Sequence, residues 1–205
     1  MGKLGLPAVI LASVLCCCSL FEPRSPEDPE EPPVEWFDPY QYQTVITNLK
    51  NTMEGLSVPY YMRCYADSFA FIADDQDTAQ YGWNFRNWDY VTEESAVGPI
   101  FDEAESDTTY GQDTVASVVL SEIPSLPDPV DYEDTIDIYR EYEVQYLSSE
   151  HSPAKGIARL YLARPGSGGL WSIYRWEDSR REEHGPDDVT WGVFKGYYLF
   201  TLSSR

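Results

Sequence analysis

The stretch that decides the fold lies near the end of the chain: "GLWSIYRWEDSRREEHGPDDVTWGVFKGYY", residues 169–198. Trp171 and Ile173 share one face with Arg175, while Tyr174 and Trp176 fall on the other, the period of two that marks a half-buried strand. "REEHGPDD" mixes Gly, Pro and polar residues and reads as a hairpin connection. Alternation resumes at Trp191 and predicts a last strand running to Leu202. Upstream, the same period predicts strands at Thr114–Glu122, Thr135–Leu147, Gly156–Arg164 and Leu170–Asp178. "SEHSPAKG" and "RPGSGG" supply turns between them, and "IPSLPDPVDYEDT" is a longer, proline-studded crossover.

The first half of the chain has a different period. In "EWFDPYQYQTVITNLKNTMEGL", Tyr42, Val45, Ile46, Leu49 and Met53 recur at helical spacing. Asp38 suits a cap, Pro39 the first helical position, and Gly55 the end. A short helix follows, with Ser57 as cap, Pro59 in its first turn and Tyr65 at its end. "DSFAFIADD" alternates Phe69, Phe71 and Ala73 as a strand, and "NFRNWDYVTEESAVGPIFDEA" returns to helical spacing with Trp88, Val91 and Ser95, the Gly98–Pro99 pair marking an end or kink. Helices first and an antiparallel meander afterwards predict an α+β domain, its helices covering one face of a strongly curved sheet.

The chain has 205 residues and a formal net charge of −21, a field that repels nucleic acid and anionic headgroups, so no nucleic-acid partner is expected. It opens with Lys3, an apolar run from Leu4 to Leu15, and then Cys16, Cys17 and Cys18. The run is too short to span a bilayer as a standard helix and fits a signal-peptide core. Leu15-Cys16-Cys17-Cys18 resembles a bacterial lipoprotein signal, with Cys18 as the lipidated residue and Cys17 as the alternative; a plain secretory signal that is removed with its cysteines is the other reading. N-myristoylation is excluded because Leu6 stands where Ser or Thr is required. Residues 1–18 are thus expected as signal, the Pro- and Glu-rich residues 19–35 as a disordered tether, and residues 36–205 as one domain held outside the cytoplasm on the bacterial envelope. The membrane, reached through an N-terminal lipid, is the partner this organisation implies. Cys64 would be the lone cysteine of the mature domain, which rules out an internal disulfide and reads as a small buried hydrophobe.

Tyr61, Tyr65, Asp67, Phe69 and Phe71 in the first half, and Gly169, Trp171 and Ile173 followed by Trp176, Glu177 and Asp178 in the second, carry a resemblance. With the order of elements, they resemble the nuclear transport factor 2-like (SnoaL/ketosteroid isomerase-like) superfamily over about residues 38–202, and in particular small bacterial lipoproteins with that fold. The resemblance implies a cone in which a curved antiparallel sheet wraps three N-terminal helices and leaves a pocket open at one end. Members use that pocket for isomerase, dehydratase, cyclase or hydrolase chemistry, or to bind, so fold does not settle function.

Acid–base chemistry in such a pocket needs a desolvated ionisable group and a second group that stabilises developing charge. His151 and His184, the only histidines, both fall in predicted turns and read as exposed. On the strand "TIDIYREYEVQYL", Ile136, Ile138, Arg140, Tyr142, Val144 and Tyr146 share the inward face. Asp67 or Tyr142 acting with Arg140 is the candidate catalytic set. Tyr61, Trp88, Arg140, Tyr142, Trp171 and Arg175 are the candidate pocket lining, suited to a small apolar or aromatic ligand. Arg140 and Arg175 either bind an anionic ligand or pair with Asp67, Asp178 or Glu177. The aromatics, Trp83, Trp176 and Tyr60 among them, either form a ligand wall or fill a core. The carboxylates of "FDEAESD" and "DPVDYEDTID" lack the order of a calcium loop, and no cofactor fingerprint is present, so no metal or cofactor is expected. The leading expectation is a lipid-anchored binding or interaction domain. An isomerase- or dehydratase-type enzyme and an envelope protein that forms a homodimer through its sheet face are the alternatives.

Overall fold

A computed structural model describes residues 34–82, 85–106, 116–146, 152–183, 185 and 188–202. The signal, most of the tether, Cys16, Cys17, Cys18, Trp83, His151 and His184 lie outside the described residues. Val34 and Glu35, expected as tether, already belong to the folded part: Val34 is buried and the Glu35 carbonyl accepts from Asn51.

Helix α1 spans Tyr42–Glu54, and Tyr42, Val45, Leu49 and Met53 form its buried stripe. It starts later than Asp38 and Pro39 suggest, with Gln41 at the N-cap. The reason is upstream pinning: Asn48 bonds both the carbonyl and the amide of Phe37, and the Pro39 carbonyl accepts from the Trp171 amide. Helix α2 covers Val58–Met62, with Pro59 in its first turn and no side-chain bond from Ser57. Strand β1 covers Tyr65–Ile72.

A helix not anticipated from sequence follows, α3 at Asp75–Tyr81. Asp74 caps it by accepting from the Gln76 amide, and Gly82 ends it at φ 64°, a left-handed conformation that costs glycine little. Helix α4 runs over Tyr90–Ser106 and continues past the Gly98–Pro99 pair rather than ending there. Ser95, whose carbonyl Pro99 cannot serve, is exposed, so water can take the place of the missing N–H.

The sheet comprises β1, β2 (Ala116–Glu122), β3 (Thr135–Tyr146), β4 (Ala154–Ala163) and β5 (Ser172–Ser179), in the order β1-β5-β4-β3-β2. All neighbours are antiparallel except β1 and β5, which run parallel. The sheet is curved and the helices lie against it, the α+β arrangement and element order that the resemblance implies. On β3 the expected inward set is buried without a break, from Ile136 to Tyr146. Room for Tyr142 comes from its partner across the ladder, Gly156, where a Cβ would sit 2.6 Å from the Tyr142 Cζ.

Two expectations are corrected. The first is the face of β5. Its register against β4 shifts between Leu162↔Ile173 and Tyr161↔Arg175, so Tyr174 is an extra residue in the ladder. That bulge reverses the alternation: Trp176 and Asp178 join Ile173 inside, and Arg175 turns outward. The second is the final strand. Trp191–Tyr197 is helix α5, continued by a π-helical segment at Tyr198–Leu202. Thr190 caps α5, its hydroxyl accepting from the Val193 amide at 3.2 Å. Trp191, Phe194 and Tyr198 are buried at spacings of three and four, a helical stripe that short-range alternation concealed.

Candidate functional site

Helix α5 packs against α4 and β4, with Trp191, Val193, Phe194 and Lys195 buried. Trp171, Trp176, Trp191, Tyr61, Tyr142 and Lys195 are among the largest fully buried side chains. At the centre stands an ion pair between Glu93, in the first turn of α4, and Lys195 of α5, each 0% exposed. Lys195 Nζ lies 2.9 Å from Glu93 Oε1 and 2.7 Å from Oε2. Tyr61 of α2 donates to Oε1 at 2.6 Å, and the Trp88 indole donates to Oε2 at 2.7 Å. The carboxylate therefore receives four hydrogen bonds, which fills its accepting capacity. The ammonium sits 3.4 Å from the Phe71 ring centroid and 5.0, 5.6 and 5.8 Å from those of Trp88, Trp176 and Trp191. Their negative ring faces supply what water would. Burial lowers the Lys195 pKa, opposed by Glu93 and then Asp178. Burial, reinforced by Glu93, raises that of Tyr61.

A second carboxylate docks the start of α5. Tyr142 donates to Asp178 Oδ1 at 2.6 Å, the Gly192 amide donates to Oδ2 at 2.7 Å, and the Trp191 amide donates to the Tyr142 hydroxyl at 2.8 Å. Burial pushes Asp178 up to about 7, against the lowering effects of Tyr142, the Gly192 amide and Lys195. Burial and then Asp178 hold Tyr142 well above the usual phenol range. A third carboxylate, buried Asp77 of α3, accepts from the Thr190 hydroxyl at 2.6 Å and from Arg180 Nε at 2.7 Å.

The candidates named from sequence divide between these layers. Tyr61, Trp88 and Tyr142 converge on the interior. Arg140 points inward as expected but is consumed at the rim, where its NH1 and NH2 contact Asp128 at 2.7 and 2.6 Å and Tyr42 donates to the same carboxylate at 3.1 Å. Its partner is none of Asp67, Asp178 or Glu177. Asp67 is exposed on β1, so the desolvation required of a general base is lacking there. Arg175 lies on the outer sheet face beside Glu177 and over Tyr161, not in the interior. Trp171 is buried at the rim, packed edge-on to Tyr42 and Tyr132, with the Arg164 guanidinium 5.1 Å above it. Burial pushes the Cys64 thiol up to about 12, the chemistry of an inert hydrophobe rather than a nucleophile.

Sequence reading missed Glu93 and Lys195. Nothing local distinguishes Glu93 from the acids around it. Lys195 carried one signal: it is the lone cation between Trp191 and Tyr198, among side chains that otherwise call for burial. Accessible concavities among the described residues lie outside the interior: a cleft of about 830 Å³ lined by Tyr40, Val130, Tyr132, Glu133, Arg164 and Trp171 among others, and one of about 710 Å³ between α3 and the segment after β5, lined by Gln76, Gln80, Arg180 and Arg181 among others. Among the described residues, no group of three His, Cys, Asp or Glu side chains could hold a metal, and no helix is long and apolar enough to cross a membrane.

In fold the chain is similar to the beta subunit of the benzoate 1,2-dioxygenase from Burkholderia mallei, at 13% identity over 72% of this chain and 94% of that one, with a TM-score of 0.49. It is also similar to an NTF2-like protein of unknown function from Pseudomonas putida, at 11% identity over 72% and 89% of the two chains and a TM-score of 0.48. A third similar structure is Bd1075 of Bdellovibrio bacteriovorus, at 13% identity and a TM-score of 0.45; the match covers 69% of this chain and spans 40% of the length of that one. No family model and no curated protein matches the sequence. The likeness is one of fold alone.

Proposed function

We propose that this chain is a lipid-anchored extracytoplasmic binding domain that works through the rim of its cone rather than through chemistry inside it. The observation that carries the reading is the occupied interior: Lys195, Glu93, Tyr142 and Asp178 are each bonded to one another or to the backbone, at 3% exposure or less. A catalytic pocket requires such groups to be open to substrate. The rim cleft, by contrast, sets exposed Tyr40 and Tyr132 and the Arg164–Trp171 stack among Gln41, Asp131, Glu133 and Thr135, a lining suited to a small aromatic ligand that also carries hydrogen-bonding groups.

Saturation-transfer NMR of the full chain with a panel of aromatic and apolar small molecules tests the cleft. Binding abolished by Tyr132→Ala supports the reading; binding that ignores this substitution, or none across the panel, removes it. The anchor is tested separately by radiolabelled palmitate in bacteria, where Cys18→Ala should abolish incorporation and Cys17→Ala should retain it. Unchanged labelling in both variants would remove the anchor.

One observation favours an enzyme as the second reading: Asp178, pushed up to about 7 and hydrogen-bonded by Tyr142, has the acidity of a general acid–base at neutral pH. Turnover of ketosteroid or β-hydroxy-carbonyl substrates that Asp178→Asn abolishes would establish it, and no turnover across such a panel would remove it.

A further inference from the structure

We propose that the cone interior is a binding site for a primary alkylammonium group, and that the chain fills it in cis with the side chain of Lys195. Everything that recognises such a group is assembled around one point. Glu93 supplies the counter-charge through both oxygens, at 2.7 and 2.9 Å. Phe71, Trp88, Trp176 and Trp191 supply ring faces from β1, the segment before α4, β5 and α5. Three of these rings and the carboxylate belong to the body of the cone, so removing Lys195 leaves most of the cage standing.

The carboxylate is itself held by donors that belong to other elements. Tyr61 and Trp88 would keep Glu93 oriented in the absence of any cation from α5. A core built only to be full would need neither a counter-ion nor two further donors to it, because an apolar side chain of the same volume packs at no desolvation cost. The arrangement selects for charge and hydrogen-bonding shape as well as volume. In the intact protein, α5 is a covalently tethered ligand whose effective concentration keeps external amines out. The inference stands apart from the rim cleft: failure of either leaves the other in place.

Lys195→Ala in the full chain removes three methylene groups and the ammonium, the shape of n-propylammonium. Thermal unfolding of this variant is followed with n-propylammonium chloride and, as the uncharged control, 1-propanol. The expected result is a saturable rise in melting temperature with propylammonium, at a dissociation constant about tenfold or more below that for 1-propanol, the order of discrimination that a cation–π contact and an ion pair provide. The wild type should show no saturable response, and Glu93→Gln added to Lys195→Ala should abolish it. If Lys195→Ala is unfolded by itself, recovery of the native near-ultraviolet circular dichroism on adding propylammonium, and not propanol, is the supporting result. Equal rescue by both compounds would mean a plain apolar cavity and would overturn the proposal. So would the absence of any propylammonium response in Lys195→Ala, folded or unfolded.

Discussion

The two sides of the sheet carry the same chemistry in different solvents. Inside, Lys195, Tyr61 and Trp88 meet around Glu93, each at 2% exposure or less. Outside, on β3, β4 and β5, Arg159 bonds Asp137 at 2.7 Å, stacks over Tyr139 and Tyr161, and lies 3.7 Å from Glu177. Arg159 and Asp137 are 37% and 40% exposed. Cation, carboxylate and ring recur in both places, so composition does not separate a pair that organises the fold from one that decorates it. Water does: the interior pair has lost its hydration and depends on its partners, whereas the outer pair can exchange each partner for solvent.

The largest effect expected from this contrast is at Glu93. Glu93→Gln keeps the shape but leaves the Lys195 ammonium buried without its counter-charge, a loss of about 3–5 kcal/mol in unfolding free energy. Urea denaturation measures it. Adding Lys195→Met should recover a large part of the loss, since the double variant has no buried charge at that point. Losses that simply sum would break the comparison by showing that the two charges act independently.

Tyr142→Phe is next. It leaves Asp178 Oδ1 without a donor and the Trp191 amide without an acceptor at the start of α5, for a cost of about 1–3 kcal/mol. Hydrogen exchange should accelerate first in α5 if that cost is local, and unchanged exchange there would put the latch elsewhere.

The pH dependence of stability follows from Asp178. Its folded pKa of about 7 lies above the ordinary 3.8, so the folded state holds a proton that the unfolded chain releases. The stability linked to that proton is fully present below the unfolded value and is lost as pH rises through about 7. Its slope is bounded at about 1.4 kcal/mol per pH unit. Denaturation midpoints of the wild type should fall between the ordinary value of 3.8 and about pH 7 and level off above it, and Asp178→Asn, which keeps an acceptor for the Gly192 amide, should flatten that fall. A slope unchanged by the substitution would assign the proton to another group.

How much of the molecule is legible in its sequence depends on the range of each signal. The β3 alternation is local and strict, and by itself it puts Arg140 and Tyr142 on the inward face, where both are found. The resemblance places most of the remaining elements in order, without α3 and with a strand where α5 stands. The β5 bulge is hidden because one extra residue at Tyr174 shifts the faces of all that follow while leaving the composition of "WSIYRWED" unchanged. The helix at Trp191 is hidden because a stripe at spacings of three and four also contains short alternations, and Gly192 and Gly196 weaken its helical propensity. The central pair is out of reach for a different reason: Glu93 and Lys195 are 102 positions apart, and their meeting is a property of the cone rather than of either segment.

The smallest effect is expected on the outer face. Arg159→Ala should cost no more than about 1 kcal/mol in a monomer, because water replaces each contact with Asp137, Glu177 and the two rings as it is lost. The same substitution also tests the homodimer proposed for this face. A second copy seated there would desolvate the Arg159–Asp137 pair and give it the character of the interior one, so that removing the guanidinium would weaken association along with stability. Sedimentation velocity across a concentration series separates the two cases. A wild-type species that grows with concentration and shrinks back in Arg159→Ala places a partner on the outer face, whereas a sedimentation coefficient independent of both concentration and substitution leaves that face to solvent and the contrast with the interior complete.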